Sequence, residues 1–210
     1  MRTDHLVQAL VADRATAQPP IASQLAVALG IGFAISAAVF LLVLGPRPDI
    51  AFAATTVRFD VKLVQVVVLA VTAVVLVLRV ARPGAASGWP IILLAPALLA
   101  VAVVAELVAV PSGQWLVRLV GSNAMICLTA IPALSVPLLV AFLVVLKRGA
   151  PLSRTAAGAA AGLAAGAVAA ALYATHCTDD SPLFVAFWYA IAIGGVTLAG
   201  ALLGRFMLRW

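Results

Sequence analysis

The sequence predicts an all-α, polytopic membrane protein with six transmembrane helices and both termini in the cytoplasm. Three observations predict it. Of the 210 residues, 65% are hydrophobic and only 10% are charged, and the mean hydropathy of +1.21 does not suit a soluble globule of this size. Six stretches reach the roughly 20 apolar residues that a helix needs to cross about 30 Å of hydrocarbon. Lys and Arg are distributed unequally between the short connections, as membrane topology requires.

The six expected spans are residues 22–44, 61–81, 89–109, 123–146, 155–175 and 183–205, preceded by a cytoplasmic segment, 1–21. The organisation is thus that segment followed by one transmembrane domain, 22–210, with no connection long enough to bury a core of its own. Ala51-Phe52-Ala53 imitates a cleavage site after the first span. That span is too long for a signal peptide, and Asp4 and Asp13 accompany Arg2 and Arg14 ahead of it, so it is read as retained. Unbroken runs of Ala, Val and Leu lack the alternation of a β-barrel strand.

With six spans, Arg2, Arg14, Arg79, Arg82, Lys147, Arg148, Arg154, Arg205 and Arg209 fall on one side, and Arg47, Arg58, Lys62 and Arg118 on the other. The richer side is cytoplasmic. Asp49, Asp60, Glu106, Asp179 and Asp180 then lie at the outer side. The isoelectric point near 10.4 therefore reports topology. No aromatic-interleaved basic patch accompanies it, so direct nucleic-acid binding is not expected.

This topology brings the only two cysteines to one face. Cys127 lies about one turn, roughly 6 Å, inside the outer end of the fourth span, and Cys177 just follows the fifth. The inner loop 147–154 is short and favours antiparallel neighbours. A disulfide, which needs Cα atoms about 4.4–6.8 Å apart, is permitted but not required. Two lone thiols on an oxidising face form a structural bridge, a redox-labile bridge or a soft-metal site. His176 with Cys127 and Cys177, supported by Asp179 and Asp180, offers N, S and O donors for a thiophilic cation. The sequence also allows a plainer use of Asp179-Asp180-Ser181-Pro182, as the cap and first turn of the last span.

Gly158, Gly162 and Gly166 in the fifth span, and Gly200 and Gly204 in the sixth, have the four-residue spacing that lets helix backbones approach. Pro132 and Pro137 should kink the fourth. Gln65 and Glu106 are expected at the interface, and no charged or His residue falls at the bilayer midplane, where a transport site would want one. In the N-terminal segment, Thr3 is a plausible cap and Asp4 a first-turn acid, followed by an apolar stripe of Leu6, Val7, Leu10 and Val11. Such a short amphipathic helix lies on a membrane surface or enters a protein groove.

The chain resembles the NrsF-type negative regulators of extracytoplasmic-function (ECF) sigma factors, six-span proteins of the bacterial inner membrane. The resemblance rests on Met1-Arg2-Thr3-Asp4 with Leu6, on Cys127-Leu128-Thr129-Ala130-Ile131-Pro132 with Leu134-Ser135, and on Lys147-Arg148-Gly149-Ala150-Pro151. Tyr173-Ala174-Thr175-His176-Cys177-Thr178-Asp179-Asp180-Ser181-Pro182-Leu183-Phe184, Trp188-Tyr189 and Leu208-Arg209-Trp210 extend it. It implies a non-enzymatic anti-sigma factor without a cofactor. Its cytoplasmic portion would sequester an ECF sigma factor, with Thr3, Asp4, Leu6, Val7, Leu10 and Val11 as contacts. Cys127 and Cys177 would sense metal or oxidative stress outside the membrane. The rival readings are a small metal transporter or channel, which lacks midplane ligands, and a membrane thiol-disulfide oxidoreductase, which usually has a second cysteine pair.

Overall fold

The computed structural model describes Thr3, Val7, Gln8 and residues 19–82, 89–149 and 151–208. Among these there is no strand, and six helices are long and apolar enough to cross a membrane. They are α1 (Ile21–Val43), α2 (Val57–Val80), α3 (Leu94–Ala109, led in by a 3-10 turn, Trp89–Leu93), α4 (Ala124–Leu146), α5 (Arg154–Ala174) and α6 (Pro182–Met207). Large apolar side chains cover the outer surface, among them Leu42, Val108, Leu198 and Val101. A surface of that kind is tolerable only where the solvent is hydrocarbon.

Helix ends follow local chemistry. The Thr56 hydroxyl accepts from the Phe59 N–H, starting α2 four residues before the expected 61, and Asp60 and Arg79 complement the dipole at its two ends. Ser153 caps α5 in the same way. Gly45 ends α1: at φ 67° its N–H turns back to the Phe40 carbonyl, 2.8 Å away. Two short helices, Ile50–Ala53 and Trp115–Val120, occupy connections read from sequence as loops. A π-turn, Val185–Tyr189, interrupts α6. Pro132 and Pro137 both lie within α4, which remains helical through them. α1 packs there, its Ser36 hydroxyl donating to the Leu134 carbonyl at 2.8 Å.

α5 is the centre of the bundle. It packs against α6 and α2 most extensively, and against α4 and α1 as well. Its Ala and Gly side chains make this possible. A Cβ on Gly162 would stand 2.5 Å from the Val196 carbonyl oxygen and 2.9 Å from Thr197 Cα. One on Gly204 would stand 2.7 Å from both the Arg154 carbonyl oxygen and Gly158 Cα. These obstacles are backbone atoms, which have no rotamer to change. The glycine spacing noted in the sequence is therefore an α5–α6 contact surface. α3 is peripheral by contrast, burying only Ala95 and Glu106.

The core divides along the helix axes into two clusters. One includes Leu25, Val77, Leu138, Leu146 and Ala161. The other includes Phe40, Cys127, Tyr173, Cys177, Phe184 and Tyr189, and it lies beneath the α5–α6 connection. Gly162→Ala should therefore destabilise the protein by about 1–3 kcal/mol. Gly195→Ala should not, because its added methyl would meet nothing within 4 Å. Chemical unfolding of the detergent-solubilised variants measures the contrast.

Candidate functional site

The connection between α5 and α6 reaches the ends of all the other spans. It begins with main-chain bonds: the Arg47 N–H donates to the Thr175 carbonyl at 3.0 Å, and His176 Nδ1 lies 2.9 Å from the Gly45 carbonyl oxygen. A carbonyl only accepts, so Nδ1 carries the proton and the ring is fixed to the end of α1. Asp179 then accepts from the backbone N–H groups of Ser122 and Asn123 at 3.0 and 2.8 Å, placing a carboxylate at the entry to α4. Gly121, at φ 57°, forms this turn, and a Cβ there would lie 2.8 Å from Asp179 Cγ.

Asp180 serves α1 and α2. One carboxylate oxygen accepts from Arg47 Nη1 at 2.8 Å, and the other pairs with Lys62 Nζ. Lys62, 2% exposed, also donates to the Cys177 carbonyl at 2.7 Å. A second contact between Arg47 and Asp49, bidentate at 2.7 and 2.8 Å, holds Asp49 below the ordinary carboxylate range and Arg47 above its ordinary value. Ser181 completes the set. Its hydroxyl donates to Glu106 of α3 at 2.7 Å and accepts from the Leu183 N–H at 3.2 Å, capping α6. Glu106 also takes Arg118 Nη1 at 3.1 Å.

Directly below this polar layer lie the two cysteines, both free thiols and both 0% exposed. Cys127 occupies the first turn of α4, and Cys177 sits in the connection itself. Tyr173 and Tyr189 pack beside them, with ring centroids 5.9 Å apart, and Phe184 meets Tyr189 edge-on. Burial pushes the Cys177 thiol up, with Lys62 pulling partly the other way. A raised, enclosed thiol is a poor nucleophile and a poor metal ligand until something opens the layer above it.

The outcome for each site residue expected from sequence is specific. Cys127 and Cys177 come together in one cluster. His176, Asp179 and Asp180 surround it but are engaged with Gly45, with the entry to α4, and with Arg47 and Lys62. Among the described residues, no group of three or more His, Cys, Asp or Glu side chains could hold a metal ion. Ser181 is the side chain that caps α6, so the two acids are free for other helices. Gln65 and Glu106 are buried rather than interfacial, Gln65 Nε2 donating to the Ala95 carbonyl at 2.6 Å. Thr3 and Val7 are helical and exposed, whereas Asp4, Leu6, Leu10 and Val11 lie outside the described residues.

Sequence reasoning missed Lys62, Arg47 and Glu106 as members of the site. The signal was available: an ionisable residue inside an apolar run must find a partner, and Lys62 and Glu106 both stand in such runs. Their partners were not legible, because Asp180 is separated from Lys62 by 118 residues.

The family described as "Negative regulator of sigma F" matches residues 10–210. A protein of Caulobacter vibrioides named anti-sigma-F factor NrsF is 35% identical over 218 residues, and one of Azospira oryzae named probable anti-sigma-F factor NrsF is 37% identical over 213 residues. Both alignments cover the whole of each chain. No solved structure matches. The chain belongs to the NrsF family of negative regulators of sigma F.

Proposed function

We propose that this chain holds an ECF-type sigma factor at the cytoplasmic face of the bacterial inner membrane and releases it when Cys127 and Cys177 respond to metal or oxidant outside. Family membership supports the anti-sigma role. The observation that carries the sensing role is the position of two free, fully buried thiols beneath a polar layer tied to every span. The excess of Lys and Arg at the opposite end supports the orientation.

Under this reading the resting protein is closed. An oxidant that removes two electrons converts the two thiols to one disulfide and releases two protons. A thiophilic cation instead binds both sulfurs as thiolates and likewise displaces their protons. Either product disturbs the packing of Tyr173, Phe184 and Tyr189 around the sulfurs, and Cys177 passes the disturbance to Lys62 through its carbonyl. The signal must favour the releasing state by several kcal/mol to change sigma occupancy substantially.

Three measurements test this reading. Cys127→Ser, Cys177→Ser and the double variant should lose the response of a sigma-dependent reporter equally, since either change removes the whole paired interaction. Sigma binding should persist in all three. A normal response from the double variant would reject the sensor role. Leu6→Ala combined with Leu10→Ala should weaken sigma retention by about 2–4 kcal/mol if both are central anchors, leaving membrane insertion intact. Undiminished retention moves recognition to the inner loops. Asp180→Asn leaves Lys62 without its anion and should cost about 3–5 kcal/mol of stability, raising reporter activity in unstressed cells. Adding Lys62→Met should recover part of both effects.

A further inference from the structure

A cavity of about 490 Å³ lies between α2, α3 and α6 and borders the thiol cluster, with which it shares Val66, Val185, Tyr189 and Ile193. Its wall includes Leu69, Leu99, Ile193, Gly194 and Thr197, with Gln65 at one edge, about 12 Å along α2 from its first residue. Its helices are all long and apolar enough to cross a membrane. We propose that the cavity is a binding site for the acyl chain of a membrane phospholipid, which fills the gap that α3 leaves against α6.

Three features commit the site to a tail rather than a headgroup. Few polar groups line the wall, and two of them are turned to their own main chain: Gln65 Nε2 donates to the Ala95 carbonyl at 2.6 Å and the Thr197 hydroxyl to the Ile193 carbonyl at 2.8 Å. The Tyr189 hydroxyl, whose residue also lines the cavity, is buried without a hydrogen-bond partner. Such a wall offers water few partners, and apolar cavities of even about 150 Å³ stay dry and take up hydrocarbon guests.

Gly194 supplies the second argument. The glycines facing α5 are required by backbone atoms, but a Cβ on Gly194 would meet nothing within 4 Å. Packing inside this chain does not require that glycine, and glycine is among the worst residues for a helix interior. Its effect is to keep the cavity wide. The third argument is continuity: Leu198 belongs both to the cavity wall and to the lipid-facing surface, where it is 68% exposed. A chain can enter sideways from the bilayer without crossing a polar layer.

The test uses the full-length protein in nanodiscs containing phosphatidylethanolamine with a diazirine midway along one acyl chain. The sample is transferred to unlabelled detergent before irradiation, and adducts are mapped by peptide mass spectrometry. A bound chain leaves slowly, so adducts on Leu99 and Ile193 should persist while those on outward-facing Leu41 and Leu42 fall on the order of tenfold. Gly194→Leu should abolish the retained adducts, whereas Gly195→Leu, whose glycine is not part of the wall, should keep them. Parallel loss at both surfaces of the wild-type protein would overturn the proposal, as would unchanged retention in a folded Gly194→Leu. If that variant does not fold, the wild-type retention pattern decides.

Discussion

A lysine near the start of a transmembrane helix must find water, an anion or a carbonyl, and Lys62 has been removed from water. It finds both an anion and a carbonyl: the Asp180 carboxylate and the Cys177 main-chain oxygen. Because Arg47 shares the same carboxylate, the end of α1, the beginning of α2 and the α5–α6 connection are held at one point. Partners in such a cluster are hard to separate, since an unpaired buried charge costs several kcal/mol. Asp179 at α4 and Ser181 at Glu106 of α3 extend the arrangement from neighbouring positions. Three consecutive side chains thus fasten the remaining spans, and the cysteine before them is enclosed as a result.

Composition and periodic apolar length made the six spans legible, since a helix in lipid satisfies its own backbone and leaves few alternatives. The glycine spacing in α5 and α6 predicted close packing, and the backbone contacts at Gly162 and Gly204 are its physical form. Gathering Cys127 and Cys177 at one end followed from counting residues around the α4–α5 hairpin. The polar layer was less legible. Asp179, Asp180 and Ser181 stand directly before a helix, where capping by Asp or Ser is the economical reading, and Ser181 performs that role. The acids instead meet groups more than 50 residues away. Local sequence carries no record of such pairings. The short helices 50–53 and 115–120 and the π-turn in α6 were likewise hidden in segments whose composition suits either loops or helix continuation.

The polar residues also bear on the rival readings. A transporter needs a path with ligands near the middle of the bilayer. Here Gln65 and Thr197, in the wall of the apolar opening between α2, α3 and α6, are engaged with main-chain carbonyls. The buried charges, Arg47, Lys62 and Glu106, collect with Asp49, Asp180 and Arg118 at one end, where they neutralise one another. A thiol-exchanging enzyme presents an accessible, low-pKa cysteine, whereas both thiols here are fully covered and burial raises Cys177. Chemistry at these sulfurs requires prior movement of the layer above. That requirement suits a regulator, in which the rare event is the signal, better than a catalyst, which must repeat it.

Movement at the sulfurs has two routes through the bundle, and they differ in stiffness. At Gly158, Gly162, Gly200 and Gly204 α5 and α6 meet backbone to backbone, which leaves little room for one to shift against the other. α4 begins with Cys127 in its first turn and ends at Leu146, beside the Lys147-Arg148 loop. It contains two prolines, each of which removes a main-chain hydrogen bond from the helix. A helix with those gaps can change direction at small cost, and its contact with α1 near Leu134 lies between them. The closely packed α5–α6 pair is thus the stiffer part of the bundle, and α4, missing two main-chain bonds, is the helix that would bend at least cost. This division places the mechanical freedom of the bundle on the same helix as one of the two cysteines.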